Sequence, residues 1–258
     1  MASSSSAATP GAQATLQGAL GSQRVRSRFF VLAAAWCAVL VFGGFTPTYF
    51  GPLLTSSSVD VAPVVHVHGI VFFAWTLLFL VQTTLVGRQQ VALHRSVGLL
   101  GISLATAVVI LGFTVSLRAN AERFAAGEMG RAYALGFSNT YALVTFAALF
   151  AAAIYMRRKP DFHKRFMLFA TTMLLAAPVG RLYRPVFAPA PPPPWIVFAT
   201  IDTLLVACLA YDWTTRRRVH PATAIAGVVL IASQVLRFGI PGTAWWRATY
   251  DAMIQLVG

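Results

Sequence analysis

The capacity of this 258-residue chain for chemistry sits in five histidines, His66, His68, His94, His163 and His220, and in one carboxylate, Asp202, set deep within an apolar run. His66 and His68 are two residues apart, so on a helix they point to nearly opposite faces and cannot share a metal. His68, Trp75 and Gln82 recur every seven residues and form one slowly drifting polar and aromatic stripe. On a lipid-spanning helix such a stripe must face protein, because hydrocarbon offers its polar groups no partner. Asp202 falls about 10 Å along its helix from Trp195 at 1.5 Å per residue, and Arg181 on the preceding helix is its candidate counter-charge. Charges inside a bilayer are costly, pair with one another and mark functional sites. With His68, Trp75, Gln82, Asn139 and Tyr183, they outline a pocket for a small ligand, a quinone headgroup or a proton path. The alternative is a structural ion pair fixing two helices, with His68 and Asn139 as interhelical hydrogen bonds. Asp212, four residues before Arg216, reads as a local surface pair.

The elements that must position these groups follow from hydropathy. Hydrophobic residues make up 57% of the chain and charged residues 10%, against about 25% charged in a soluble domain. Mean hydropathy is +0.69. The fold class expected is therefore an all-α polytopic transmembrane bundle. Seven apolar segments are expected as helices: 29–45, 63–87, 93–117, 132–156, 160–183, 195–213 and 221–238. Pro63, Pro160 and Pro221 suit first helical positions. A Ser/Ala/Gly/Gln-rich segment at 1–23 reads as a disordered tail, so that 1–28 precede a transmembrane domain at 29–238. The polar residues Arg118, Glu122, Arg123, Glu128 and Arg131 read as a loop, and Pro185 with the prolines of 189–194 as a stiff extended link. Residues 239–258, with Trp245, Trp246 and Arg247, suit an interfacial segment on the outer side.

The net charge of +13 is distributed as a topology signal rather than as a nucleic-acid footprint, because the basic residues fall between apolar segments. Arg24/Arg26/Arg28, Arg88/Arg95, Arg157/Arg158/Lys159/Lys164/Arg165 and Arg216/Arg217/Arg218 all fall on one side, and residues 46–62 carry no Lys or Arg. The N-terminus is therefore expected inside and the C-terminus outside. Cys37 and Cys208 lie within apolar segments without metal or redox spacing and read as inert buried thiols.

The segments HVHGIVFFAWTLLFLVQTTLV, LHRSVGLLG, PDFHKRFMLFATTMLLAAPVGRL and VHPA resemble a family of uncharacterised bacterial polytopic membrane proteins, over most of the chain from Pro63 to Pro221. The resemblance implies a multi-pass protein of the bacterial inner membrane and carries no activity. More distantly, histidines on successive helices near the two membrane faces are similar to the cytochrome b561-like bundles, whose histidine pairs ligate haem b. Such ligation needs two imidazoles on different helices facing each other across the porphyrin. His94 and His163 open two helices on the same side and make a possible pair, with Arg95, Lys164 and Arg165 as candidate partners for the haem propionates. Otherwise these histidines belong to a basic belt that meets lipid headgroups and helix-end carbonyls. A second haem is not supported, since the helix opposite His68 offers Asn139 instead of a histidine.

Other classes are excluded by their chemistry. Retinal binding needs a Schiff-base lysine in the last helix, and Lys159 and Lys164 are the only lysines. Membrane di-iron oxygenases need many more histidines and carboxylates, and there is no GxSxG, HExxH, P-loop or CxxC motif. Three readings remain. The first is a haem b electron-transfer protein using His94 and His163. The second is a pocket protein (transporter, sensor or membrane enzyme) acting on a quinone or another membrane-soluble molecule. The third is a non-catalytic subunit whose partner is a larger membrane complex.

Overall fold

The computed structural model describes residues 10–55 and 61–255, with side chains from Arg28 onward. The described residues are helical throughout and contain no strand. Helix α1 spans Pro10–Phe45 and passes through a π-helical turn, Thr46–Phe50, into the short α2, Gly51–Thr55. It is helical from Pro10, within the stretch expected to be a disordered tail; residues 1–9 lie outside the described residues. Then follow α3 (Pro63–Gly87), α4 (Val91–Ala125), α5 (Met129–Tyr155), α6 (Pro160–Met173), α7 (Ala176–Phe187), α8 (Pro194–Arg216), α9 (Pro221–Gly239) and α10 (Ala244–Gln255).

Proline starts α3, α6, α8 and α9. Its missing N–H is one that a first turn leaves unpaired anyway, and its fixed φ suits the helix. The turn from α4 to α5 needs Gly127 at φ +79°, a conformation that a Cβ penalises. Arg118, Glu122 and Arg123, expected in a loop, lie in the last turns of α4. They are held by the Arg118–Glu122 pair at 3.7 Å and by Arg123 donating to the Ala119 carbonyl at 2.9 Å.

Six helices are long and apolar enough to cross a membrane, and the pair α6–α7, bent by 44°, makes a seventh if counted as one broken span. The single helix expected at 160–183 is thus interrupted. Pro178 has no N–H to give the Leu174 carbonyl, and its ring crowds that carbonyl. Leu174 and Leu175 instead donate to the carbonyls of Thr171 and Thr172, three residues back, at 3.1 Å each. Pro185, expected in the extended link, lies inside α7.

Exposed side chains along the spans include Leu32, Ile70, Leu99, Val144, Val206 and Val228, whereas Arg165, Asp212, Thr171, Thr172 and Thr223 are buried. Apolar outside with polar groups paired inside is the arrangement hydrocarbon demands. The hairpins α3–α4 and α5–α6 are the closest neighbours, with α1 packed against α3, α6 and α7, and α9 against α5, α6 and α8. The main core centres on Trp75, Phe146, Leu168 and Phe169. Where α1 crosses α7, a Cβ on Gly44 would lie 2.1 Å from the Pro178 carbonyl oxygen, so only glycine admits that approach.

A smaller cluster of Tyr133, Phe137, Trp246 and Tyr250 fixes α10 across the adjoining ends of α4 and α5. Trp245 is exposed, as a belt residue would be. Trp246 is buried and donates its indole N–H to the Tyr133 carbonyl at 3.1 Å.

Candidate functional site

The starts of α4 and α6 meet at one end of the bundle, here the His94 end. The His94 and His163 rings meet in a T-shaped arrangement, with centroids 6.2 Å apart and planes at 83°. Both lie in a first helical turn, His94 after Val91 and His163 after Pro160. His163 Nδ1 is 2.9 Å from the Ala153 carbonyl. A carbonyl only accepts, so Nδ1 carries the proton and Nε2 keeps its lone pair. His94 is held from α3 by Gln82. The amide orientation that satisfies all neighbours places its NH2 against His94 Nδ1 and the His94 carbonyl (3.1 Å), while its oxygen accepts from the Gly98 N–H at 3.0 Å. In that arrangement Nε2 of His94 is the protonated nitrogen.

The stripe of His68, Trp75 and Gln82 faces protein along its whole length. Gln82 meets His94, and the buried Trp75 donates to Thr171 Oγ1 at 3.3 Å and packs edge-on against Phe146 at 5.0 Å. His68 stacks near Phe72, 4.1 Å between centroids, and its Nδ1 is buried without a hydrogen-bond partner.

Beside the histidine pair lies a charge network that spacing along the chain did not reveal. Arg165 and Asp212 are both fully buried and bonded to each other through Arg165 Nε at 3.1 Å and through NH2. The second Asp212 oxygen accepts from Thr223 Oγ1 at 2.6 Å and from the His220 backbone N–H at 3.0 Å. Asp161, at the start of α6, pairs with Lys164 at 2.7 Å and with Arg216. Two expectations are corrected here. Asp212 is no surface partner of Arg216; it joins α6, α8 and α9. Arg165 and Lys164, candidates for propionates, are engaged by carboxylates of the chain, which leaves the exposed Arg95 as the free one of the three. His220 caps α9 by accepting from the Ala222 N–H at 3.1 Å. Burial first, then the Arg165 and Arg216 charges, hold its imidazole below the ordinary histidine value. The one signal for this network was an acid, Asp212, near the end of an apolar helix; which way it points was not encoded in the spacing.

At the other end, the His68 end, the expected pocket is divided. Asp202 accepts from the Gln234 amide at 2.7 Å and makes no ion pair with Arg181. Asn139 donates to Ser116 Oγ at 2.9 Å, and the Tyr183 hydroxyl meets Thr200 Oγ1 at 3.0 Å. The counter-charge assignment fails because α7, after the break at Leu174, leans onto α1, where the Arg181 guanidinium lies 4.8 Å over the Phe45 ring. A cavity of about 50 Å³ beside the break is lined by Ser138, Tyr141, Thr172 and Gln234 among others, room for a bound water or two. A larger, almost entirely apolar groove of about 620 Å³ runs along α8 and α9 past Leu205, Gly227 and Ile231. Among the described residues no group of three or more His, Cys, Asp or Glu could hold a metal ion.

Comparison with protein-family models, with curated proteins and with solved structures gives no match.

Proposed function

We propose that this integral membrane protein binds haem b between His94 and His163 and carries electrons within the bilayer of the bacterial cytoplasmic membrane, with the His94 end inside. The observation that supports this reading is the ring separation. Two metal–nitrogen bonds of about 2.0 Å, each with roughly 1.1 Å from nitrogen to ring centre, give about 6.2 Å, and the rings stand 6.2 Å apart. If bound, haem iron held by both histidines would supply one-electron chemistry. The Ala153 carbonyl holds the proton of His163 on Nδ1 and leaves Nε2 with the lone pair that would ligate the iron. Arg95 and the neighbouring Arg88, Arg157 and Arg158 are the cations for propionates. A membrane quinone is the partner class for the electron.

Gln82 favours a second reading. Its NH2 on His94 Nδ1 leaves a proton on Nε2, while His163 Nε2 keeps a lone pair. The pair thus holds one donor and one acceptor nitrogen, the elements of a proton-transfer pair without a metal. Iron at His94 requires the Gln82 amide to turn and accept from Nδ1.

Absorption spectra separate the two. Protein purified in mild detergent from haem-replete cells is expected to show a Soret band, sharp α and β bands after dithionite, and a positive pyridine haemochrome. All are expected to disappear in His94→Ala and in His163→Ala while helix content is kept. A colourless, folded protein from the same cells rules out haem and leaves the proton pair.

A further inference from the structure

Among the described residues, charge at the His68 end does not balance locally. Of the seven acidic residues in the chain, six are described and each already has a partner. Glu122 pairs with Arg118, Glu128 with Arg131, Asp161 with Lys164 and Arg216, and Asp212 with Arg165. Asp202 accepts from Gln234, and Asp251 accepts from the Tyr133 hydroxyl at 2.8 Å. Among the described residues Arg181 therefore has no carboxylate. Its guanidinium is half-buried over Phe45 and donates to the Ala177 carbonyl of its own helix at 3.3 Å.

More positive charge surrounds it. Arg184 follows one turn on in α7, and Arg123 lies in the last turn of α4. Arg123 is anchored through NH1 to the Ala119 carbonyl and Asn120 Oδ1, both at 2.9 Å, and it too has no carboxylate partner among the described residues. The two buried side-chain atoms without a hydrogen-bond partner among the described residues are Thr48 Oγ1 and His68 Nδ1. Thr48 lies on the 46–50 turn against which α7 packs.

A guanidinium removed from water without an anion is expensive, and an orphaned polar atom adds to that cost. An anionic oxygen group over Arg181 would supply the missing counter-charge and could offer a hydrogen-bond partner to the orphaned atoms at this end of the bundle. We infer that the Arg181 face of α7, where it packs on α1 and the 46–50 turn, binds the carboxylate or phosphate of a small molecule or lipid, with Arg181 as the principal contact. Arg123 and Arg184 add positive charge at this end. Guanidinium is the side chain suited to carboxylate and phosphate oxygens in a partly desolvated site. This inference is independent of the histidine pair at the other end.

The test is the thermal midpoint of the detergent-purified protein titrated with sodium phosphate, sodium acetate or dioleoylphosphatidylglycerol, with dioleoylphosphatidylcholine as the lipid control. A saturable rise with phosphate or acetate identifies a soluble anion. A rise with phosphatidylglycerol alone identifies an anionic lipid. Either supports the site. Arg181→Gln is expected to weaken the response roughly 10- to 150-fold, the range for one hydrogen bond to a charged group, and Arg181→Lys to retain part of it. No saturable response to any probe in the wild type, or an equal response in Arg181→Gln, overturns the proposal. If Arg181→Gln does not fold, full retention of affinity in Arg181→Lys together with His68→Ala overturns it. A response seen only in Asp60→Asn also overturns it, because Asp60, outside the described residues, would then be the partner of Arg181.

Discussion

Removing the carboxylate of Asp212 takes away the acceptor of four hydrogen bonds, from Arg165 Nε and NH2, Thr223 and the His220 backbone. Asp212 and Arg165 are both without exposure. Breaking a buried ion pair from one side costs about 3–5 kcal/mol. The lower part of that range applies here, because Arg165 NH1 still donates to the Asp161 carbonyl at 2.8 Å and Nε to Thr223 at 3.2 Å. A loss of about 3 kcal/mol, at roughly 2–4 °C per kcal/mol for a domain of this size, lowers the midpoint of Asp212→Ala by about 6–12 °C. Tryptophan fluorescence during heating in one fixed detergent reads it directly. Asp212→Asn is expected to fall between the two, since its amide can accept from Arg165 but presents N–H to the His220 N–H. Replacing both charges, Arg165→Met with Asp212→Leu, is expected to recover at least half of the loss, because apolar pairs of similar volume substitute well for buried ions. A drop below about 2 °C in Asp212→Ala, against the 2–4 °C that each kcal/mol is worth, refutes the assignment. So does a double variant that loses as much as the two single variants added together.

Two further changes test the packing. Tyr250→Phe removes the oxygen to which the fully buried Asn120 donates at 2.6 Å. An orphaned buried amide costs about 1–3 kcal/mol, so limited proteolysis should release α10 faster than in the wild type. Gly136→Ala should do the same, since its Cβ would lie 2.3 Å from the Tyr250 ring. Gly44→Ala forces α1 off the Pro178 carbonyl and should cost about 1–3 kcal/mol as overpacking. Gly43→Ala, whose Cβ meets only Leu182 at 3.7 Å, should leave the melting midpoint unchanged.

The spans were readable because hydropathy and first-position prolines report on local free energies that tertiary contacts do not overturn in a bilayer. The meeting of His94 with His163 was readable for a related reason. Both residues open helices on the same side, so topology alone brings them to one level. Rotation about each helix axis was not readable. Asp202 and Arg181 have the depth of a pair but belong to helices whose polar faces turn elsewhere, one to Gln234 and the other to Phe45. Arg165 and Asp212 were misassigned for the same reason, since nothing in their spacing says that α6, α8 and α9 converge. The interruption of the fifth span was visible only as Pro178, and membrane helices often carry a proline without breaking. Here Pro178 does interrupt the helix, and Gly44 of α1 admits the close approach of its carbonyl.

The break at Leu174–Leu175 also divides the molecule mechanically. On one side, α6 is clamped to α8 and α9 through Arg165, Asp212 and Thr223. On the other, α7 is a lever of about 18 Å, twelve residues at 1.5 Å each, and none of its side chains carries an ion pair among the described residues. A pivot of only ~5° at the break carries its far end ~1.6 Å, on the scale of the helix shifts seen in switching proteins. Backbone amide exchange should register the division as slow protection in α6 and faster protection in α7, two kinetic classes within what hydropathy presents as one helix.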